Sequence, residues 1–140
     1  MSKKVVLAFS GGLDTSFCVP YLKEQEYEVH TVMVNTGGFS EEEEKAIEAR
    51  ALHLGAASHK NVNAVDTYYS KGIKYLIYGN ILKNATYPLS VSSERVFQAL
   101  EVLKHVKEIG ADAVAHGSTG AGNDQVRFDI VFEVLAPTVE

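Results

Sequence analysis

A chain of 140 residues, 46% apolar and 22% charged, has room for one globular domain and little space for a second. Its formal charge of −5 argues against a general nucleic-acid coat, which needs a surplus of Lys and Arg, but not against one phosphate compound held by backbone amides. Cys18 is the only cysteine, which excludes an internal disulfide and fits a reducing compartment.

Val5-Val6-Leu7-Ala8-Phe9 is a continuous apolar run stopped by Ser10-Gly11-Gly12. Such a run reads as a strand buried on both faces, as in a parallel sheet. It is too short for a signal-peptide core or a membrane span, so cytoplasm is the expected location, with no membrane partner. After the glycines, Asp14 and Thr15 can cap a helix running to about Gln25, with a kink or a free carbonyl expected at Pro20. Residues 28–34 form a second strand candidate. Ser40 and Glu43 then make a capping-box pattern, and Ile47, Ala51 and Leu54 give the helix an inner stripe that stops at Gly55. Residues 58–65 are a weakly apolar third strand and residues 67–78 a helix, followed by a long polar connection over 79–92. Val96, Leu100, Leu103 and Val106 space as an amphipathic helix ending before Gly110. Residues 111–115 form a short strand that leads into a second glycine-rich loop, Gly117 to Gly122. Residues 124–135 read as a helix with Phe128, Val131, Phe132 and Leu135 on one face, although their β-branched content keeps a strand open. At the end, residues 136–140, a further strand can begin. Alternating strands and helices point to an α/β fold: a doubly wound parallel sheet with helices on both faces.

Ser10-Gly11-Gly12-Leu13-Asp14-Thr15-Ser16 follows the buried strand and opens a helix. Glycine lets the backbone approach an anion and takes the unusual φ of a tight turn. Free amides at the helix start and the hydroxyls of Ser10, Thr15 and Ser16 then converge on a phosphate. No Lys-Ser or Lys-Thr pair follows, so this is not a Walker A loop, and the three spaced glycines of dinucleotide sites are missing. Glycine content alone leaves a plain turn with Asp14 as N-cap equally open.

The whole string resembles the pyrophosphate-binding loop (PP-loop) of the ATP pyrophosphatases, which cleave ATP between its α and β phosphates and adenylylate a substrate. GMP, asparagine and NAD synthetases and tRNA thiolases share that loop. Three segments narrow the resemblance to the argininosuccinate synthase family: residues 8–16, Tyr87 with Ser92 and Arg95, and the block His116-Gly117-Ser118-Thr119-Gly120-Ala121-Gly122-Asn123-Asp124-Gln125-Val126-Arg127-Phe128. It implies an adenine nucleotide alpha hydrolase-like fold and an ATP-dependent carbon–nitrogen ligase of arginine biosynthesis, the reaction type of the urea cycle. ATP adenylylates the ureido oxygen of citrulline, and the aspartate amine displaces AMP.

The resemblance also implies residue roles. Ala8, Phe9, Ser10, Gly11, Gly12, Leu13, Asp14, Thr15 and Ser16 would hold ATP, with Val34 at a strand end and Gly117 beside the adenosine. Tyr87, Ser92, Asn123 and Arg127 would hold citrulline, and Thr119, Asn123 and Asp124 would hold aspartate. Asp14, Asp124 and Arg127 are the expected catalytic residues. Mg²⁺ on the phosphates and a homotetrameric whole protein are implied as well, without nucleic acid. Family members are much longer, so residues 1–140 are expected to be one nucleotide-binding domain, cut before a synthetase and multimerisation domain and incomplete for catalysis.

The side-chain chemistry agrees: a carboxylate suits the fork of Arg127, an α-ammonium suits Asp124, and Asn123 can both donate and accept. Each residue also has a plainer reading. Tyr87 before Pro88 fits a turn, Arg127 a solvated charge, Asp124 a helix cap, and His116 a packed polar group. Tyr68, Tyr69, Tyr75 and Tyr78 read as core and rim. A non-catalytic ATP-binding module and a tRNA thiolase stay open as alternatives; the negative charge and lone Cys18 speak against the latter.

Overall fold

A computed structural model describes residues 2–120 and 122–140. Ala121, inside the second glycine-rich block, lies outside the described residues. Four strands form the main sheet: β1 (Lys4–Ala8), β2 (Glu28–Asn35), β3 (Ser58–Asn63) and β6 (Ala113–His116), in the order β3-β2-β1-β6. All three pairings are parallel, with Val6 opposite His30 on one side and Val114 on the other. Between β3 and β6 the chain also makes a separate two-stranded antiparallel hairpin, β4 (Leu82–Lys83) with β5 (Tyr87–Pro88). Residues 79–92 therefore hold a small hairpin, where the sequence reads only as a polar connection.

The alternation of side chains along the strands splits the core in two. Val5, Leu7, Phe9, Val29 and Met33 face α1 (Leu13–Glu24) and α2 (Glu41–His53), where Val19, Ile47 and Ala51 close over them. Val6, Val32 and Val34 face α5 (Ser90–Ile109) and α6 (Asn123–Leu135), meeting Val102, Leu103, Val106, Phe128 and Phe132. Helices thus cover both faces of a parallel sheet, as the continuous apolar run of β1 requires. β3, polar and half-buried, lies at one edge of the sheet.

Ser40 caps α2 in both senses of a capping box: its hydroxyl accepts from the Glu43 amide, and the Glu43 carboxylate accepts from the Ser40 amide. The other helix starts differ from expectation. α1 begins at Leu13 on Gly12, which makes no side-chain cap, so neither Asp14 nor Thr15 serves as one, and the helix continues through Pro20. α5 starts at Ser90, well before Val96, and ends on Gly110 with φ +62. Its buried stripe is Ala99, Val102, Leu103 and Val106, whereas Val96 is exposed and Leu100 only half-buried. Ala99, Val102, Leu103 and Val106 follow the i, i+3, i+4, i+7 spacing of a single face. Residues 123–135 are helical, and Leu135 is exposed. Tyr68, in the short helix α3 (Val65–Tyr68), is buried, but Tyr69, Tyr75 and Tyr78 are not. They lie in a wide π turn (Tyr69–Ile73) and in α4 (Lys74–Tyr78), neither of which buries a residue. No described helix is long and apolar enough to cross a membrane.

Candidate functional site

The strand order reverses at β1: the chain moves outward through β2 to β3, then returns to place β6 on the opposite side of β1. At such a switch point the loops leaving neighbouring strands diverge and open a crevice beyond the carboxyl ends of the strands. Here those loops are the two glycine-rich turns, Ser10–Gly12 after β1 and the Gly117 block after β6. Two clefts open there, of about 420 Å³ and 460 Å³, and they share Asp14, Gly117, Ser118 and Asp124.

The first cleft is the size of a small-molecule site. Of the residues expected around the nucleotide, Ala8, Phe9, Ser10, Gly12, Leu13 and Asp14 line it. So do Thr15, Val34 and Gly117. Two lie outside its lining: Gly11, whose carbonyl accepts from Arg50, and the half-buried Ser16, whose amide already donates to Gly12. Phe9 is 2% exposed with its ring edge-on to His59, so its side chain belongs to the core. The Ser10 and Thr15 hydroxyls lie 3.3 Å apart, and that of Thr15 also donates to the Gly12 carbonyl. They shape the turn from within instead of standing free. What the turn offers an anion is backbone: among the described residues the amides of Leu13, Asp14 and Thr15 make no hydrogen bond, and the first helical bond runs from Ser16 to Gly12. The positive end of the α1 dipole adds to this.

All six residues expected around the amino acids, Tyr87, Ser92, Thr119, Asn123, Asp124 and Arg127, line the second cleft. Tyr87 reaches it from the hairpin and is half exposed. Asp124 is the second residue of α6, as Asp14 is of α1, and each helix starts on a glycine without a side-chain cap. The cap reading of Asp124 therefore fails for the same reason as that of Asp14. Its carboxylate instead accepts from Arg95 Nε at 3.0 Å and Arg127 Nη1 at 2.7 Å, and Arg127 Nη2 donates to Ser92 Oγ at 2.9 Å. Burial pushes the Asp124 carboxyl up, but the hydrogen bonds and charges of Arg95 and Arg127 outweigh it and hold the group below its ordinary value. Arg127 is thus no loose surface charge, and both ends of its fork are engaged inside the protein. An incoming carboxylate must share or displace those contacts.

His116 combines both of its readings. Its ring stacks on Phe128 at 5.2 Å, yet it lines the first cleft. The Ser118 amide donates to Nδ1 at 3.2 Å, which leaves the proton on Nε2 to donate to Asp129 at 2.8 Å. Asp129 thereby orients the imidazole that holds the start of the second glycine-rich loop.

Four residues given no role from the sequence enter the site. Arg95, Gln98 and Glu94 form the α5 wall of the first cleft, with Arg95 Nη1 donating to Gln98 at 2.8 Å and Thr36 Oγ1 donating to Glu94 at 2.5 Å. Ser92, Arg95 and Gln98 recur every three residues, a spacing that would have put them on one helix face. Arg50 lines neither cleft but reaches the turn from α2 through the Gly11 carbonyl, and it has no local signal.

A family model described as the arginosuccinate synthase N-terminal HUP domain matches residues 4–140. Argininosuccinate synthase of Xylella fastidiosa is 48% identical over 145 residues, covering 99% of this chain and 36% of that protein. The enzyme of Saccharolobus solfataricus is 44% identical over 138 residues, covering 98% and 35%. The chain therefore spans about a third of the length of the curated relatives it matches. Among solved structures, an NH3-dependent NAD synthetase of Campylobacter jejuni superposes with TM-score 0.62 at 17% identity, covering 85% of this chain and 48% of that one. A predicted subunit of a tRNA methyltransferase from Methanocaldococcus jannaschii gives 0.57 at 22%, covering 86% and 56%. At those identities the likeness speaks for the fold alone. The family match and the identity to the synthases along this chain go further, and this chain belongs to the argininosuccinate synthase family, in the part formed by its N-terminal HUP domain.

Proposed function

We propose that this chain is the nucleotide-binding domain of an argininosuccinate synthase. The whole enzyme uses ATP to adenylylate citrulline, releases pyrophosphate, and lets the aspartate amine displace AMP. One observation carries the reading: an uncapped glycine turn with three free amides opens onto a cleft that is continuous, through Asp14, Gly117 and Asp124, with a second cleft lined by charged and amide side chains. The amides bind the leaving pyrophosphate. The second cleft binds the amino acids, with Asp124 toward an α-ammonium and Arg127 toward a carboxylate. An activated isourea and a held amine react chiefly through positioning, so no general base is assigned.

Mg²⁺ would supply charge neutralisation on the phosphates. Asp14 is the carboxylate at the turn itself, beside amides that would hold the phosphates, which suits a cation that takes most of its ligands from phosphate and water. The longer protein would add a strand at β6. The Glu140 amide donates to Asp112 at 3.0 Å and its carbonyl accepts from Val114 at 2.9 Å, the pattern of a parallel neighbour on that edge. The second domain, the homotetramer and the cytoplasmic location are part of the same proposal.

The isolated chain is expected to bind ATP weakly and to show no synthase turnover, because the second domain is needed to close the site. Calorimetry with ATP and a pyrophosphate-release assay with both amino acids check this; sustained turnover by residues 1–140 would contradict it. In the whole enzyme, Arg127→Lys should spare ATP and weaken citrulline, since a single ammonium cannot serve Asp124, Ser92 and a carboxylate together. Equal loss of both ligands in binding titrations would count against that role.

A further inference from the structure

The turn after β1 is braced from outside by α2. Gly11 has φ +73, and a Cβ there would lie 2.9 Å from Ile47 Cγ1, so the turn lies flush on that helix. One turn further along α2, Arg50 donates from Nη1 to the Gly11 carbonyl. In a regular helix, that carbonyl is the acceptor for the amide four residues on, which is Thr15. Here the Thr15 amide makes no such bond, and the helix begins instead with Ser16 on Gly12. Gly12, extended at ψ 175, is thus the N-cap; Gly11 lies outside the helix, and Arg50 holds the carbonyl of the peptide on which α1 starts.

We infer that Arg50 is a positioning residue of the anion turn: by holding the Gly11 carbonyl, it fixes the Gly11–Gly12 peptide and so the aim of the free Leu13, Asp14 and Thr15 amides at a polyphosphate. The inference rests on the ATP reading above and deepens it. Released from Arg50, the Gly11–Gly12 peptide, flexible because both residues are glycine, would be free to turn and carry the first amides of α1 out of register with the anion. A guanidinium also partly offsets the charge on that oxygen, which a neutral side chain does not do. The effect belongs to the β and γ phosphates that the turn would hold, and not to the nucleoside.

The test titrates ATP, inorganic pyrophosphate and AMP into the 140-residue chain, as wild type, Arg50→Met and Arg50→Lys. Arg50→Met is expected to raise Kd for ATP and for pyrophosphate by about tenfold, the scale of one hydrogen bond to a charged group, while leaving AMP unchanged. Arg50→Lys should recover part of the loss, and the thermal midpoints should stay together, because Arg50 is exposed. Unchanged ATP and pyrophosphate affinities in Arg50→Met would overturn the inference alone. An equal loss for all three ligands with a lower midpoint would assign Arg50 to stability and also overturn it. A wild-type chain that binds neither ATP nor pyrophosphate removes the ATP reading and this inference with it.

Discussion

Gly117→Ala is expected to weaken ATP binding by roughly tenfold to a hundredfold and to lower the thermal midpoint of the chain by several degrees, from overpacking of about 1–3 kcal/mol. A Cβ at Gly117 would lie 2.8 Å from Thr15 Cγ2 and 3.2 Å from the Thr15 backbone nitrogen. The methyl cannot simply turn away, because rotating Thr15 would break its hydroxyl contacts to Ser10 and to the Gly12 carbonyl. The backbone nitrogen has even less freedom, and it is one of the free donors of the turn. The two glycine-rich loops therefore touch at a point where only a hydrogen atom fits. Calorimetric ATP titration with a thermal melt reads both effects. An alanine variant with wild-type affinity would show that the loops are not in contact where ATP binds.

Asp124→Ala should weaken amino-acid binding in the whole enzyme by roughly tenfold to a hundredfold, through loss of a charge-assisted contact of about 1.5–3 kcal/mol and release of the two arginines it holds. Stability should change less, by about 1 kcal/mol, because the Asp124 side chain is 40% exposed and the ion pairs are screened by water. The pH dependence has a definite sign. Arg95 and Arg127 hold the carboxyl below its ordinary value of 3.8 despite the opposing effect of burial. The unfolded chain therefore binds the proton more readily, and the contribution is present above pH 3.8 and lost as pH falls through the lower folded value. Asp124→Asn should flatten that part of the acid limb of a midpoint-against-pH curve. An acid limb that is identical in the variant would place the coupling elsewhere.

The sequence was enough to determine what depends on neighbours along the chain. The uninterrupted apolar run of β1 determines a strand covered on both faces, and the Ser40–Glu43 pair determines a helix start. Local chemistry likewise marked both glycine-rich turns and the polar residues around them, because unusual backbone shapes need particular residues at fixed spacing. The starts of α1 and α6 differ from the expected caps for a related reason. An acidic residue in the first turn looks the same whether it caps the helix or merely follows an uncapped glycine, and only the backbone angle at Gly12 and Gly122 separates the two.

Only the tertiary structure decided how the pieces share a site. The return of β6 to the side of β1 brings Gly117 against Thr15 and sets α5 beside α6, so that Arg95, Arg127, Asp124 and Ser92 form one network. Arg50 lies 39 positions from the carbonyl it holds. A contact of that kind is fixed by strand order and by the face on which a crossover helix packs, and neither leaves a periodic trace in the residues themselves.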